Sequence, residues 1–587
     1  MTRPAAPGPP SDLTAEILRN ALCVAAEEAS IVVVRSAYST FIVEGADAAA
    51  AILDARGRLV AHSLSTALIQ CTSLRSALPY VLRAYPPETM APGDVFVLND
   101  VYQGGIHAND LLVFRPVFLG GAPAYYTGTL IHVADLSGLS AGGMASDATD
   151  IFLEGVQLPP VRIATADGLA GDLVRVLAAN SRTPDKLVGD LRALIAGTNV
   201  AARRLEEIAE ADTPAGLAAG IEDYLAHTER RMRAGLAALP GGTHGGEYRL
   251  DDGHLVRVAV TVDGSGGVVV DFAGTDEQVP LPVNSGFSQT HGGVMYALRC
   301  FVDPSLPMNE GCFTPVDVRM PPGTLVHCTP PFPGGGRFGT VAAAEEAIFA
   351  ALTRGGAHDE AGGRPPSGGH DEGVSGGAGG RPPSGGHDEA VSGGAGGRLP
   401  SGGQGVAASG ILQAFSISGV RRPWLHMSFD LGGMGARDAR DGPDATGALF
   451  GGGRNIIPQA EPIEARLPVR VEEVSLIPDS GGRGRRRGGL GTRTVIRMLE
   501  DARVDTRGDR LLRPPPGAAG GGPGRAGGYY RERADGVREP LGTKATRLPL
   551  AEGEALVVET SGGGGYGLPE ERDPEDARRD RADGRTT

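Results

Sequence analysis

The sequence lacks the features that mark membrane-bound or secreted proteins. It contains no run of about 18 apolar residues, the length that a transmembrane helix requires, and its first residues, MTRPAAPGPPSD, lack the apolar core of a signal peptide. Its five cysteines are an odd number and form no CxxC pair, so a disulfide framework is not indicated. We therefore expect a reduced, cytoplasmic protein that does not bind a membrane.

Sequences typical of nucleotide and nucleic-acid sites are also missing. There is no GxxxxGK[ST] segment, so the chain has no ATP site of that type. The GGGRFG segment at 334–339 matches GxGxxG, but prolines and a phenylalanine precede it in place of a strand. We reject a dinucleotide-binding fold there, although a helix that follows could hold an anion at its N-terminus. The net charge of −15 opposes binding to nucleic acid, and the basic run RGRRR at 483–487 is interpreted as a solvated loop.

The 587 residues are enough for two to four domains. Strand patterns and helix patterns occur without strict alternation, so we predict an α+β (mixed α/β), multi-domain fold with mixed sheets. Five short strands are predicted before residue 133, and a helical segment is predicted at about 178–239. The expected divisions are an N-terminal domain at 11–245, a central α+β region at 246–354 and a β-rich C-terminal region at 409–568, with a disordered N-terminus at 1–10 and a charged tail at 569–587.

A low-complexity block at 355–408 separates two of these parts. Its unit, rich in Gly, Pro and Ser, repeats so that Arg364, Arg381 and Arg398 are seventeen residues apart. The unit has almost no large apolar residue and cannot bury a core, so we predict a disordered insertion. The His-Asp-Glu triplets within it are interpreted as solvated and not as metal ligands.

Polar residues cluster around two predicted strands at 111–119 and 124–132. His107 and Asp110 come just before the first strand, while His132 ends the second and Asp135 follows it. If the strands are neighbours, the four side chains converge at one end of a sheet. Two histidines and a carboxylate make a divalent-metal site with open positions, to which Asp135 could add a ligand or a hydrogen bond that holds an imidazole. From spacing alone, polar residues that cap loops are an equally good interpretation.

Several motifs in order resemble one family. The segment GDVFVLNDVYQGGIHAND at 93–110 resembles the signature of the hydantoinase B/5-oxoprolinase family, and HVAD at 132–135 resembles its next motif. Agreement continues at 147–161, 270–279, 296–316, 463–491 and 557–567, so the resemblance covers the chain apart from its first ten residues, the repeat block and the tail. The family also includes the large subunits of acetone and acetophenone carboxylases.

The resemblance implies a function shared between two subunits. An A-type subunit would bind ATP and phosphorylate the carbonyl oxygen of a cyclic amide such as a hydantoin or 5-oxoproline, and this chain would complete the hydrolysis. On the matching positions, the ligands of a divalent metal (Mn, Fe or Zn) are His107, Asp110 and His132. Such a metal acidifies bound water for attack on the activated carbonyl carbon, and Asp110 or Asp135 would carry a proton.

Backbone-rich segments are the candidates for binding substrate or phosphate. These are Asn99, Asp100 and Gly105 in the first motif, and Gly563 and Gly564 in the GGGGYG segment, which is otherwise a tight turn. Two alternatives stay open: the large subunit of an ATP-dependent acetone-type carboxylase, and a catalytically degenerate scaffold. The second is considered because the loop after Pro333 departs from the family pattern, which puts any catalytic role of that loop in doubt.

Overall fold

The structure, a computed structural model, describes residues 12–64, 68–303, 305–353, 407–411, 413–446 and 459–587. The expected disordered N-terminus at 1–10 and nearly all of the insertion at 355–408 therefore lie outside the described residues. Among the helices described, none is both long and apolar enough to cross a membrane.

Helices cover the outer faces of the molecule and also fill the space between its sheets. Their bounds are α1 Asp12–Ser36, α2 Thr40–Gly45, α3 Leu68–Ala84, α4 Gly171–Ala179, α5 Pro184–Ala211, α6 Pro214–Ala237, α7 Phe287–Val302, α8 Glu310–Phe313, α9 Phe338–Thr353, α10 Ala460–Arg466 and α11 Pro574–Ala582.

Strands form four sheets, each confined to one part of the chain. Their bounds are β1 Ala48–Asp54, β2 Leu59–His62, β3 Val95–Leu98, β4 Asp110–Leu119, β5 Ala122–His132, β6 Val161–Thr165, β7 Gly168–Leu169, β8 Gly242–Arg249, β9 Leu255–Val262, β10 Val268–Asp271, β11 Val316–Arg319, β12 Gln413–Gly419, β13 Leu425–Asp430, β14 Val469–Leu476, β15 Thr492–Met498, β16 Ala502–Gly508, β17 Gly528–Glu532, β18 Arg538–Pro540, β19 Lys544–Leu550 and β20 Ala555–Glu559.

The first sheet is antiparallel, in the order β2-β1-β5-β4-β3-β6-β7, and is covered on both faces. In β4, Leu111 and Val113 belong to a hydrophobic cluster that includes α5 residues, while Leu112 and Phe114 belong to a cluster that includes α3 residues. Because successive side chains in a strand point to opposite faces, a sheet covered on both sides needs apolar residues at consecutive positions. The unbroken apolar run at the start of β4 meets that need.

The second sheet has the order β11-β10-β9-β8, and its β10–β11 pair is parallel. Helices α7 and α9 pack with it, and one hydrophobic cluster contains side chains of both the first and the second sheet. The boundary that we expected after residue 245 falls inside β8.

The C-terminal part is β-rich, as the sequence predicts. It contains an antiparallel sheet in the order β13-β12-β16-β19 and another in the order β14-β15-β20-β17-β18, and one apolar cluster is built from both. The charged tail includes the helix α11. The predicted mixed α/β fold with several sheets is therefore confirmed.

The basic run at 483–487 is not a simple solvated loop. Arg487 is buried and forms ion pairs with Asp444 at 3.0 Å and with Asp580 of α11 at 3.4 Å. Arg486 pairs with Asp576 of the same helix at 3.3 Å. The run thus attaches the C-terminal helix to the body of the protein.

Glycine segments cross one another in the C-terminal part at backbone distance. We call the segments 432–435, 480–491, 516–524 and 561–567 the glycine bundle. A Cβ atom on Gly488 would lie 1.9 Å from the carbonyl oxygen of Gly563, and one on Gly521 would lie 2.2 Å from that of Gly565. Because real Cβ atoms do not approach other atoms this closely, only glycine allows the segments to pack in this way.

Candidate metal centre

The register of two neighbouring strands brings the predicted ligands together. Strand β4 begins at Asp110 and β5 ends at His132, and these two residues are direct partners in the antiparallel ladder. A turn precedes β4, in which the Asp110 N–H donates to the His107 carbonyl oxygen at 2.9 Å. That turn folds the His107 side chain back to the same end of the sheet.

Three side chains form a compact cluster at this sheet end. Nε2 of His107 lies 3.0 Å from Nδ1 of His132. The Asp110 carboxylate lies 3.2 Å from the first of these nitrogens and 3.3 Å from the second. One ligand atom from each residue lies within 4.8 Å of the others, and all three residues are buried.

The loop between His107 and Asp110 holds the first imidazole in place. The Asn109 backbone N–H donates to Nδ1 of His107 at 3.2 Å, and the Asn109 carboxamide donates to the Val133 carbonyl oxygen at 3.3 Å. Gly143 lies against that carboxamide with a φ of +68°, and a Cβ atom there would be 2.8 Å from the Asn109 side-chain oxygen. Backbone contacts on two sides therefore fix the orientation of His107.

The cluster has the chemistry of a divalent-metal site. Two imidazoles and one carboxylate are a ligand set that suits a transition metal and leaves coordination positions open. Burial, and then the positive charge of Arg337, lower the pKa of His107 well below its usual value. Its imidazole is therefore neutral near pH 7, the form that binds a metal. Among the residues that the structure describes, no second group of three such side chains is found.

Arg337 is the cation nearest to the cluster, and the sequence patterns gave no reason to select it. Its Nη2 atom lies 3.8 Å from a carboxylate oxygen of Asp110, and its Nε donates to the Gln289 side-chain oxygen at 2.9 Å. It lies in the loop before α9, the loop whose departure from the family pattern made a catalytic role doubtful. The structure places that loop beside the candidate metal ligands.

A buried carboxylate anchors the loop that carries Arg337. Glu154 accepts hydrogen bonds from the N–H groups of Gly334, at 3.2 Å, and Gly335, at 2.7 Å. Burial raises the pKa of Glu154 to about 6, against the opposing effect of the Arg507 charge. The loop needs glycine here because a Cβ atom on Gly335 would lie 2.7 Å from Glu154 and 3.3 Å from Arg507.

Comparison with known proteins identifies the family. Residues 11–569 match the family model for hydantoinase B/oxoprolinase. The chain belongs to the hydantoinase B/oxoprolinase family. The resemblance found in the sequence motifs is thereby confirmed over nearly the whole chain.

Two members of the hydantoinase B/oxoprolinase family show how far the similarity extends. The chain is 27% identical to the B-type subunit of a putative D-/L-hydantoinase from Pseudomonas sp. (strain NS671), over 97% of this chain and 92% of that one. It is 28% identical to the beta subunit of the caprolactamase from Pseudomonas jessenii, over 95% of this chain and 91% of that one. It spans about two fifths of the length of several 5-oxoprolinases that it matches.

Two solved structures share the fold. The crystal structure of the ATP-dependent caprolactamase from Pseudomonas jessenii has a TM-score of 0.83 at 24% identity, over 99% of this chain and 95% of that one. The nucleotide-free structure of acetone carboxylase has a TM-score of 0.81 at 17% identity, over 98% of this chain and 78% of that one. At these identities the comparison shows the architecture of this hydantoinase B/oxoprolinase family member.

Asp135 does not join the cluster of this family member, although the sequence suggested it as a ligand, an imidazole partner or a proton carrier. Its carboxylate accepts hydrogen bonds from the N–H groups of Gly142, at 3.0 Å, and Arg182, at 2.7 Å. The Arg182 guanidinium pairs with it at 2.8 Å. These contacts, together with a longer one from the Ser137 N–H, use both oxygens to hold loops, so its role is structural.

The candidate binding residues of the first motif also shape loops. The Asn99 carboxamide donates to the carbonyl oxygens of Ala108 and Val156 and accepts from the Leu158 N–H. The Asp100 carboxylate accepts from the Tyr102 N–H at 2.9 Å and caps a short turn. Gly105 donates its N–H to the Asp100 carbonyl oxygen at 2.8 Å. These bonds support the ligand loop from behind, and a direct contact of these residues with substrate stays a prediction.

The arrangement of Gly563 and Gly564 opposes the phosphate-binding role expected from the sequence. Both belong to the glycine bundle, where their N–H groups donate to the carbonyl oxygens of Gly489, at 2.9 Å, and Ala408, at 2.8 Å. A phosphate oxygen would have to displace these bonds inside close backbone packing. The sequence pattern of a glycine loop after a strand does not separate packing of this kind from an anion site.

Proposed function

We propose that this chain is the metal-binding B-type subunit of an ATP-dependent hydrolase of cyclic amides. The observation that carries the proposal is the buried cluster of His107, Asp110 and His132 in a member of the hydantoinase B/oxoprolinase family. Buried ionisable groups that converge at one point are costly to the fold, and functional sites are where such groups are commonly found.

In this proposal the cluster holds a divalent metal, with Mn, Fe and Zn as the candidates. When bound, such a metal polarises a carbonyl or phosphoryl oxygen and makes water more acidic. The chain itself supplies neutral imidazoles, a carboxylate and a site shielded from bulk water. Proton transfer by Asp110 stays a prediction, whereas the contacts of Asp135 favour a structural role for it.

A second subunit is expected to use the ATP. The chain has no GxxxxGK[ST] segment, and the relatives that it covers almost completely are named as the B-type and beta subunits of their enzymes. One relative in structure is described as an ATP-dependent caprolactamase. We therefore propose an A-type partner that activates the amide carbonyl by phosphorylation.

The substrate class follows from the same relatives. Hydantoinase, 5-oxoprolinase and caprolactamase are named for three cyclic amides of different ring size, so the shared feature is an amide bond within a ring. Such bonds resist direct attack by water, and activation by phosphorylation lowers that barrier. We propose a lactam or hydantoin ring as the substrate of this complex.

An ATP-dependent carboxylase is the second candidate, because the fold also matches that of acetone carboxylase. The two functions differ in their requirement for bicarbonate. A hydrolase opens a ring in the absence of bicarbonate, whereas a carboxylase consumes ATP only when bicarbonate and a ketone are both present. A small additional subunit that co-purifies with the complex would also favour the carboxylase.

Elemental analysis of the purified chain, and then the coupled assay, test the proposal. We expect near-stoichiometric transition metal in the wild type and its loss in His107→Ala and His132→Ala. His426→Ala is the matched control, since His426 is also a buried histidine but lies outside the cluster. With the A-type partner, ATP hydrolysis should depend on a cyclic amide. A wild-type chain that holds no metal after growth with Mn, Fe and Zn would contradict the proposal and favour a scaffold.

A further inference from the structure

Arg337 is buried next to the metal-ligand cluster with part of its hydrogen-bonding capacity unused. It is 4% exposed, and its Nη1 atom has no hydrogen-bond partner among the described residues. Its Nε is bound to Gln289 and its Nη2 faces Asp110. A buried donor without a partner is rare in folded proteins and requires an explanation.

A second arginine shows the same pattern close by. Arg507, at the end of β16, is 6% exposed and donates from Nη2 to the Ala145 carbonyl oxygen at 3.0 Å, while its Nε has no partner among the described residues. The charges of Arg337 and Arg507 both act on His107. Glycines make room for Arg507, because a Cβ atom on Gly336 would lie 3.2 Å from its Nε.

The balance of charge indicates what these arginines are for. The charged side chains that act on Arg337 are the carboxylates of Asp110, Asp47 and Glu154 and the guanidinium of Arg507. With all of them ionised, three negative and two positive charges leave this group at −1. A divalent metal would bring it to +1, and a buried site with net positive charge and unused N–H donors favours an anion.

We propose that Arg337 and Arg507 together bind a phosphoryl oxyanion beside the His107–Asp110–His132 cluster. This inference rests on the proposed function, in which the substrate reaches this chain in phosphorylated form. Guanidinium groups suit such a ligand because their planar array of donors matches the oxygens of a phosphoryl group. The site would hold the phosphoryl end of the substrate and place the carbon that bears it next to the metal ligands.

A purely structural role for Arg337 makes a different prediction. If Arg337 only neutralises Asp110 and Asp47, its removal changes the affinity for metal and leaves the affinity for phosphate as it was. If it binds the oxyanion, the affinity for phosphate falls while the metal stays bound. Phosphate affinity and metal content therefore separate the two roles.

The test is phosphate binding to the Mn²⁺-loaded chain at pH 8, by calorimetry and by the relaxation of the ³¹P signal near the bound Mn²⁺. We expect Arg337→Met to weaken phosphate binding about ten- to a hundred-fold, as for the loss of charge-assisted hydrogen bonds. Arg337→Lys keeps the charge without the planar fork and should weaken it less; it also serves if the Met variant fails to fold. Arg182→Met is the matched control, because it removes the arginine paired with Asp135 at the same sheet end.

The outcomes distinguish this inference from the proposed function. A wild-type chain that binds no metal contradicts the proposed function, and calorimetry on the metal-free chain then still compares the wild type with the Arg337 variants. Equal phosphate affinity in the wild type and Arg337→Met, or no phosphate binding in either, overturns the inference with or without metal. Tighter binding of methyl phosphate than of inorganic phosphate would assign the site to a phosphorylated substrate, and the reverse would assign it to the phosphate product.

Discussion

Replacing Glu154 by glutamine should stabilise the folded protein at pH 8 and have almost no effect at pH 4. Burial raises the pKa of Glu154 from an ordinary 4.5 to about 6, which corresponds to about 2 kcal/mol. Because the folded-state pKa is raised, the folded state favours the protonated acid. The free energy of unfolding then falls by about 2 kcal/mol as the pH rises from about 4.5 to about 6 and stays lower above it. Glutamine resembles the neutral acid and avoids this cost.

The same substitution should weaken the loop that carries Arg337. The amide nitrogen of glutamine replaces one of the two carboxylate oxygens, so either Gly334 or Gly335 loses its acceptor. A hydrogen bond to a charged group contributes about 1.5–3 kcal/mol, so hydrogen exchange at that glycine should accelerate about ten-fold or more at pH 8. Urea unfolding followed by circular dichroism measures the first effect, and hydrogen exchange with mass spectrometry measures the second.

A matched control is Asp251→Asn, which alters another carboxylate that accepts loop N–H groups, those of residues 511–513. It should leave exchange at Gly334 and Gly335 unchanged. If Glu154→Gln lowers the urea midpoint at pH 8, the ionised carboxylate is net stabilising, and the argument from its raised pKa is refuted. If the midpoint rises equally at pH 4 and pH 8, the gain does not come from the removal of a charge.

Three further predictions concern other parts of the chain. Burial raises the pKa of Asp430 to about 6, so Asp430→Asn should add about 3 kcal/mol to the free energy of unfolding at pH 8 and nothing at pH 3, as measured by urea midpoints. A Cβ atom on Gly563 would lie 2.0 Å from the Met434 carbonyl oxygen, so Gly563→Ala should cost about 3 kcal/mol or more, whereas Gly245→Ala, where a Cβ meets nothing within 4 Å, should cost about 0.5 kcal/mol or less. Asp110→Asn should lower metal affinity at least about ten-fold in a competition assay with a chelator, and Asp135→Asn should leave it within about two- to three-fold; equal losses would show that Asp135 is a ligand.

Alternation and length of apolar runs were sufficient to predict the first sheet and its ligands. The segments at 48–53, 111–119 and 124–132 are strands within two residues of the expected bounds, because each combines apolar residues with turn residues at its ends. The three expected metal ligands converge because β4 and β5 are neighbours, and the turn at 120–121 favours that pairing. Spacing along the chain was informative here because the ligands lie on adjacent elements.

The residues that sequence reasoning missed come from distant parts of the chain. Arg337 and Arg507 reach the cluster from the loop before α9 and from the end of β16, and neither lies in a motif with a mechanism of its own. Their partner Glu154 is one acidic residue among many in the sequence. Burial is what makes these three residues unusual, and burial of a charged residue cannot be read from a local pattern.

Glycine composition was ambiguous for a different reason. The GGGGYG segment resembles an anion-binding loop because both uses of glycine require a bare backbone. In one use the backbone approaches a ligand, and in the other it approaches more backbone, as the N–H bonds of Gly563 and Gly564 show. Only the identity of the neighbour separates the two, and the neighbour lies elsewhere in the chain.

The glycine bundle also has a consequence for how the gene can vary. Every single-base missense change of a glycine codon introduces a residue with a Cβ atom, and the bundle has carbonyl oxygens about 2 Å from where that atom would lie. A buried valine or leucine, by contrast, has single-base neighbours of similar size and shape. A saturation mutagenesis screen should therefore find fewer tolerated substitutions in this glycine-rich segment than in the apolar core, so that the simplest stretch of the sequence in composition is among the least replaceable.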